Sequence, residues 1–228
     1  MKKIISVFMI IALVFAFAGC SAASNGSSKS TSAESTTSKA ESKTNNGNQS
    51  TNTASGGKSL VVYFSRTGEQ YGVGVIEKGN TASVADMIAE QTGADSFEIK
   101  PKEDNYPTSY SELTDYAKDE LNDNARPDIK DTVQNFDSYS TIYLGYPIWW
   151  GDMPMICYTF LESYDFSGKT IVPFCTQAGS SDAGTQSKIQ SAVPNADVME
   201  MLAITGTDAQ NDQDSVKSEV KEWLDGME

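Results

Sequence analysis

Short apolar runs alternate with amphipathic segments along the chain from Lys58 onward. The apolar runs are SLVVYF, DSFEIK, STIYLGY, TIVPFC and DVMEMLAITG. The segments between them have the period of a helix. In the last segment, for example, apolar residues recur at i, i+4, i+7 and i+8: Val216, Val220, Trp223 and Leu224. The pattern predicts strands and helices that alternate about five times.

The strand candidates are continuous apolar runs and do not alternate with polar residues. Strands have this composition when helices cover both faces of their sheet, so we predict an α/β fold with a doubly wound parallel sheet. Pro173 lies inside the run TIVPFC. Because proline cannot donate to the ladder of a central strand, we expect a local irregularity there.

The amino-terminal segment MKKIISVFMIIALVFAFAGC has two lysines, an apolar run from Ile4 to Ala18 and then small residues. This order is typical of a secretory signal, and the run is shorter than the roughly 20 apolar residues that span a bilayer. An uncleaved membrane anchor is the alternative. FAGC followed by SAAS resembles a bacterial lipoprotein signal, with Phe17 where leucine is usual. The resemblance implies a signal peptide over residues 1–19 and export, with lipid attachment at Cys20 on the outer face of the cytoplasmic membrane.

The segment after Cys20 consists almost wholly of Ser, Thr, Asn, Ala, Gly, Gln, Lys and Glu, without aromatic or large aliphatic residues. Such a composition cannot form a buried core, so we expect a disordered tether over residues 20–57 and a folded domain over residues 58–228. As a flexible coil, the tether would span about 35 Å r.m.s..

Composition excludes several classes of function. The chain has a formal net charge of −14, which becomes −16 if Lys2 and Lys3 leave with a signal, and this acidity argues against a nucleic-acid partner. The absence of histidine excludes Ser–His and Cys–His nucleophiles and imidazole zinc sites.

The acidic segment DAQNDQD lacks the glycine and glutamate spacing of a calcium loop, so we assign no metal. We expect Cys157 and Cys175 to be buried free thiols, although an exported location would permit a disulfide.

Three polar loops follow predicted strands, at the edge of the sheet where doubly wound folds bind ligands. SRTG, continued by GNT at a helix start, offers hydroxyl and N–H groups to a phosphate. GYPIWWGDMP offers paired tryptophans, and CTQAGSSDAG offers a small polar edge. Together these loops suit a flat heteroaromatic phosphate ester, and flavin mononucleotide (FMN) is the candidate.

The segments YFSRTG…NTASVADMIAEQTGADSFEI, YLGYPIWWGDMP and IVPFCTQAGS resemble the flavodoxin-like family. The resemblance runs from about Leu60 to the carboxyl terminus and implies a five-stranded sheet of order 2-1-3-4-5 with bound FMN. By motif, the phosphate would be bound by Ser65, Thr67, Gly68 and Thr81, with Arg66 and Asn80 contributing mainly backbone. The isoalloxazine would be wrapped by Pro147, Ile148, Trp149, Trp150 and Gly151, and its polar edge approached by Thr176, Gln177, Gly179 and Ser180.

Simpler interpretations exist for the same motifs. SRTG alone can be a strand-to-helix turn, and the tryptophans can belong to the core or to a partner interface. Because glycine tolerates unusual φ values, we also expect the Gly151–Asp152 peptide to reorient during the redox cycle.

The phosphate motif is interrupted by 11 residues, Glu69 to Gly79. Their glycines give G-x-G-x-x-x-x-G, which is not the dinucleotide fingerprint. Two interpretations are open. The insertion is a surface hairpin with VGVIE as a short β-like arm, or it is a functional lid that brings Tyr71 and Ile76 to the flavin or to a partner.

These features predict an exported, lipid-anchored FMN protein that transfers electrons at low potential between a donor and an acceptor. The acceptor would be a redox partner protein or a small molecule such as a quinone. The alternatives are an FMN-dependent NAD(P)H:quinone-type reductase and a non-flavin binding module on the same fold.

Overall fold

The structure, a computed structural model, describes residues 57–227. The predicted signal peptide, Cys20 and the tether up to residue 56 lie outside the described residues and remain predictions. Within the described part, no helix combines the length and apolar character needed to cross a membrane.

The domain alternates strands and helices as the sequence pattern predicts. In chain order its elements are β1 (Lys58–Tyr63), β2 (Gly68–Gln70), β3 (Gly74–Ile76), α1 (Asn80–Thr92), β4 (Asp95–Glu98), α2 (Tyr110–Asn122), a 3₁₀-helix (Phe136–Ser138), β5 (Tyr139–Pro147), α3 (Met155–Ser163), β6 (Thr170–Gln177), α4 (Thr185–Ala192), β7 (Asp197–Val198), β8 (Leu202–Thr205), α5 (Gly206–Asn211) and α6 (Gln213–Asp225).

The main sheet has the order β4-β1-β5-β6, with β7 and β8 both paired to the outer side of β6, and all its pairings are parallel. Counting β7 and β8 as one interrupted fifth strand, this is the predicted order 2-1-3-4-5, which is confirmed. Val62 at the centre of the sheet is in register with Phe97 on one side and Leu144 on the other.

The fifth strand is broken opposite Pro173. The pairing of β6 with β5 runs without a shift through Leu144 and Pro173. On the other side, β7 pairs with Thr170 and Ile171, and pairing resumes only at Phe174 with β8. The expected irregularity is therefore present as a gap between β7 and β8, on the strand next to β6. Pro173 has no N–H to donate, and because of this gap the missing donor leaves no group on the neighbouring strand without a partner.

Helices bury apolar side chains on both faces of the sheet, as a doubly wound fold requires. One cluster joins Val62, Leu144 and Tyr146 to α2, α3 and α4. The other joins Val61 and Phe174 to α1, α5 and α6. Val216 and Val220, predicted on the buried stripe of the last helix, are 1% and 0% exposed.

The insertion in the phosphate motif forms an antiparallel hairpin, β2–β3, in which Glu69 is paired with Val75. The predicted hairpin is confirmed, and the glycines explain its shape because Gly72 and Gly74 adopt positive φ values of 71° and 86° around the turn.

Candidate functional site

The two halves of the interrupted motif meet at the amino end of α1. Ser65 Oγ accepts a hydrogen bond from the backbone N–H of Ala82 at 3.0 Å. A Cβ on Gly79 would overlap Ser65 Oγ and lie 2.5 Å from the carbonyl oxygen of Arg66, so this close approach requires glycine. Gly79 gives no side-chain cap to α1. The first turn therefore presents N–H groups and the positive end of the helix dipole beside the SRTG loop.

The Arg66 side chain points away from this cradle. Its guanidinium donates two hydrogen bonds to Asp104 at 2.7 and 2.9 Å and one to the carbonyl oxygen of Tyr106 at 2.8 Å, and it lies over the Tyr106 ring. The Asn80 side-chain oxygen likewise accepts from Gln210 at 2.9 Å. Both side chains have other partners, and the expectation that these residues contribute mainly backbone to a phosphate stays a prediction.

A buried hydroxyl pair links the cradle to the end of β6. Thr81 Oγ1 and Thr176 Oγ1 lie 2.8 Å apart, and the two residues are 2% and 3% exposed. Because either hydroxyl can donate, one proton is available for a second acceptor.

The GYPIWWG loop contains a tight turn from Trp149 to Asp152. The two end residues exchange backbone hydrogen bonds of 2.8 and 3.0 Å. The central residues Trp150 and Gly151 have φ values of 53° and 73°, the combination found in a type I′ turn. A tryptophan with a left-handed backbone conformation costs about 1–2 kcal/mol. The surrounding fold therefore holds Trp150 in a conformation that its own backbone disfavours.

A charged network fixes the carboxyl end of this turn. Asp152, 8% exposed, accepts from the backbone N–H of Met153 at 2.8 Å and from the Tyr158 hydroxyl at 3.0 Å, and it pairs with Lys188 at 2.8 Å. Burial and the Asp152 carboxylate raise the pKa of Tyr158, which keeps the hydroxyl a donor. Lys188 also donates to the carbonyl oxygen of Gly151 at 3.0 Å. The Gly151–Asp152 peptide is thus hydrogen-bonded through both its C=O and its N–H, and its reorientation would break two hydrogen bonds.

The two adjacent tryptophans have different roles in the fold. Trp149 packs edge-on against Phe64 and Tyr106 at centroid distances of 5.5 and 5.7 Å, as part of the core. Trp150 is 53% exposed and reaches α2, where its Nε1–H donates to the carbonyl oxygen of Thr114 at 2.7 Å. The core interpretation therefore applies to Trp149, and Trp150 remains available to a ligand.

A cavity of about 370 Å³ lies between the cradle and the turn. Seven residues predicted for the site line it: Asn80, Pro147, Ile148, Trp149, Trp150, Thr176 and Gln177. The other predicted residues lie outside its lining: Ser65, Arg66, Thr67, Gly68, Thr81, Gly151, Gly179 and Ser180. Of these, Gly179 adopts a φ of 105° and its N–H donates to the Gln177 side chain, so the β6 loop folds back on itself.

Sequence reasoning missed one complete wall of the cavity. On α2 it consists of Tyr110, Leu113, Thr114 and Ala117, which share one helical face at i, i+3, i+4 and i+7. That spacing is visible in the sequence and could have identified the wall. The remaining residues of the lining are Gln70, Tyr71, Ala178 and Gly206. The hairpin therefore borders the cavity through Gln70 and Tyr71, whereas Ile76 does not line it, and the lid interpretation stays a prediction.

Neither cysteine among the described residues lines the cavity. Cys157 and Cys175 are buried free thiols, as expected. Burial raises the pKa of Cys175 to about 12 and also raises the pKa of Cys157, so both remain protonated at neutral pH.

Comparisons with known proteins agree with the fold and identify the family. The family model described as flavodoxin matches residues 58–227. A candidate flavoprotein from Bacteroides uniformis is 31% identical, with a TM-score of 0.59, and the match covers 73% of this chain and 99% of that protein. A candidate flavoprotein from Bacteroides eggerthii is 30% identical, with a TM-score of 0.58 and coverage of 74% and 96%.

A flavoprotein from Lactobacillus acidophilus, solved in complex with FMN, is 22% identical with a TM-score of 0.54, and the match covers 74% of this chain and 99% of that one. At this identity the likeness concerns the fold alone. A comparison with curated proteins gives no match. The match to the family model over most of the chain shows that the protein belongs to the flavodoxin family.

Proposed function

We propose that the described domain binds FMN and transfers electrons through it. One observation carries the proposal: the interrupted phosphate motif closes around the amino end of α1, at one side of a cavity bordered by an exposed, conformationally constrained tryptophan. The Lactobacillus acidophilus relative was solved with FMN, which supports the same cofactor here. When bound, FMN supplies one- and two-electron redox chemistry that no side chain can supply.

The residues present fit the phosphate end of FMN. N–H groups of the first turn of α1 and the hydroxyls of Ser65, Thr67 and Thr81 offer donors without a cationic side chain, which suits a chain of net charge −14. If Thr81 donates to a phosphate oxygen, Thr176 donates in turn to Thr81, and both buried hydroxyls are satisfied.

The residues present also fit a flavin ring. The lining combines the apolar surface of Ile148 and Leu113 with the polar groups of Thr176 and Gln177. None of the described lining residues carries a charge. This neutral lining suits the uncharged ring system of oxidised FMN.

FMN titration of the apo-protein tests the proposal. We expect a yellow 1:1 complex with quenched fluorescence of Trp149 and Trp150, and binding of riboflavin weaker by about 100-fold, because riboflavin lacks the phosphate and two charge-assisted hydrogen bonds are worth about that factor. Thr67→Val should weaken FMN binding, and Thr132→Val, at another exposed threonine that lies outside the SRTG loop, should not. A colourless protein with unquenched tryptophans would favour the binding module.

We also propose that the chain is exported and anchored by lipid at Cys20. The support is the order of the amino-terminal sequence: two lysines, an apolar run and FAGC. Labelling with a radioactive fatty acid should mark the wild-type protein and not Cys20→Ser, and detergent extraction should release only the wild type from membranes. Equal labelling of the variant would refute the anchor site.

A further inference from the structure

We propose that Tyr71, Tyr110 and Trp150 form a subsite for a neutral, planar, conjugated electron acceptor of the quinone class. The inference rests on the proposed FMN function and adds an acceptor to it. We call these three residues the aromatic rim.

The aromatic rim is exposed and concentrated at one place. Tyr71, Tyr110 and Trp150 are 63%, 38% and 53% exposed, and all three line the same cavity. Among the described residues the other exposed large apolar side chains are Val75, on the same hairpin, and Tyr116, on the same helix. Exposed apolar surface gathered beside a cavity marks a binding site rather than ordinary surface.

The rings of the rim are inclined to one another and are not stacked face to face. The Tyr71 and Tyr110 rings have centroids 5.8 Å apart and are inclined by 40°. The Lys118 Nζ lies over the Trp150 ring, 4.9 Å from its centroid, which leaves the opposite face of that ring for a ligand. Offset or inclined contact with a further aromatic ring at such a distance is favourable. A flat acceptor can therefore contact more than one ring of the rim at once.

The rim is held in place by the hydrogen bonds of the hairpin to α2. The N–H of Glu69 donates to the carbonyl oxygen of Thr108 at 2.9 Å, and the Glu69 carboxylate accepts from the N–H of Tyr110 at 2.9 Å. The same carboxylate lies at the positive end of α2, which strengthens the contact. Since Trp150 is also hydrogen-bonded to α2 through Thr114, one helix positions all three rings before a ligand arrives.

The distribution of charge on the chain favours an uncharged acceptor. The described lining of the cavity holds no ionised side chain, whereas the chain as a whole has a net charge of −14. An anionic acceptor would meet net repulsion from the chain, although Lys118 lies over the Trp150 ring just outside the lining, whereas a neutral quinone meets no such repulsion. If FMN is bound in its two-electron reduced form, the quinone would take up two electrons and two protons to become the hydroquinone, and FMN would return to its oxidised form.

Stopped-flow oxidation of photoreduced, FMN-loaded protein tests the rim. The probes are 2-methyl-1,4-naphthoquinone and ferricyanide, and the variants are Tyr71→Ala, Tyr110→Ala and the two Tyr→Phe substitutions. We expect each alanine variant to lower the bimolecular rate constant for the quinone by about tenfold, the value of an aromatic contact, and to change the ferricyanide rate by less than about twofold. The phenylalanine variants keep the ring and should retain the quinone rate.

Tyr116→Ala is the matched control, because Tyr116 is on the same helix, is 36% exposed and lies outside the cavity lining. FMN affinity is measured separately for every variant by fluorescence titration. An unchanged quinone rate, an equal loss with both oxidants, or a loss of FMN affinity with normal quinone kinetics would overturn the subsite while leaving FMN binding by the wild type intact. A wild type that binds no FMN would overturn both proposals.

Discussion

Replacing Thr81 and Thr176 by valine, singly and together, measures whether the cradle and the end of β6 are coupled through one buried hydrogen bond. Valine has nearly the shape of threonine, so the substitution removes the hydroxyl and leaves the packing. In the structure neither hydroxyl has another hydrogen-bond partner among the described residues. A single substitution therefore leaves a buried hydroxyl unpaired, whereas the double substitution leaves none.

The magnitudes follow from this asymmetry. An unpaired buried hydroxyl costs about 1–3 kcal/mol, so each single variant should lose about that much free energy of unfolding. The double variant replaces a hydrogen-bonded pair by two apolar groups and should lie within about 1 kcal/mol of the wild type. The double variant should thus be at least as stable as either single one, with a coupling energy of at least about 1 kcal/mol.

Urea unfolding of the apo-protein, followed by tryptophan fluorescence and circular dichroism, gives these free energies. The slope of the free energy of unfolding against urea concentration should be the same in all four proteins, since the substitutions leave the surface exposed on unfolding unchanged. Thr81→Val with Thr185→Val is the control pair, because Thr185 is bonded to Tyr146 and shares no partner with Thr81. In this control pair, the losses of unfolding free energy in the two single variants should add up to the loss in the double variant within about 0.5 kcal/mol. Additive losses for Thr81 and Thr176 would show that their hydroxyls do not satisfy each other.

Two further predictions concern titratable groups. Burial raises the pKa of Glu120 above its ordinary value of 4.5, and the Tyr106 hydroxyl donates to this carboxylate at 3.1 Å. The carboxyl group of Glu120 therefore holds its proton more tightly in the folded protein than in the unfolded chain. The free energy of unfolding should fall, relative to that of Glu120→Gln, as pH rises through and above 4.5. Parallel pH profiles of the two proteins in urea unfolding would contradict this. Cys157 and Cys175 should resist iodoacetamide at pH 8 in the native protein and react after unfolding, because both are 0% exposed and protonated; modification of either residue in the native protein, mapped by mass spectrometry, would refute their burial.

The sequence was sufficient for features that depend on local patterns. Continuous apolar runs predict buried parallel strands because both faces are covered, and Val216 and Val220 mark the buried side of α6 because helical period records burial directly. The ends of the phosphate motif could be paired across the insertion because the motif itself indicates which residues must meet.

Features that depend on distant partners could not be read in this way. The break between β7 and β8 depends on which strand faces Pro173, and the attachment of the hairpin depends on where the Glu69 carboxylate meets the first turn of α2. The apolar face of α2 contains both core and cavity residues: Leu113 is 5% exposed and Tyr110 is 38% exposed. Periodicity gives the face of a helix and does not distinguish a core from a cavity.

The direction of β1 determines how the domain would be presented on a surface. Lys58 begins β1 at the amino edge of the parallel sheet, whereas the cavity lies beyond the carboxyl ends of the strands. A support attached at Lys58 therefore holds the domain at the pole opposite the cavity mouth. Coupling the domain to an electrode at that residue would leave the cavity open to solution.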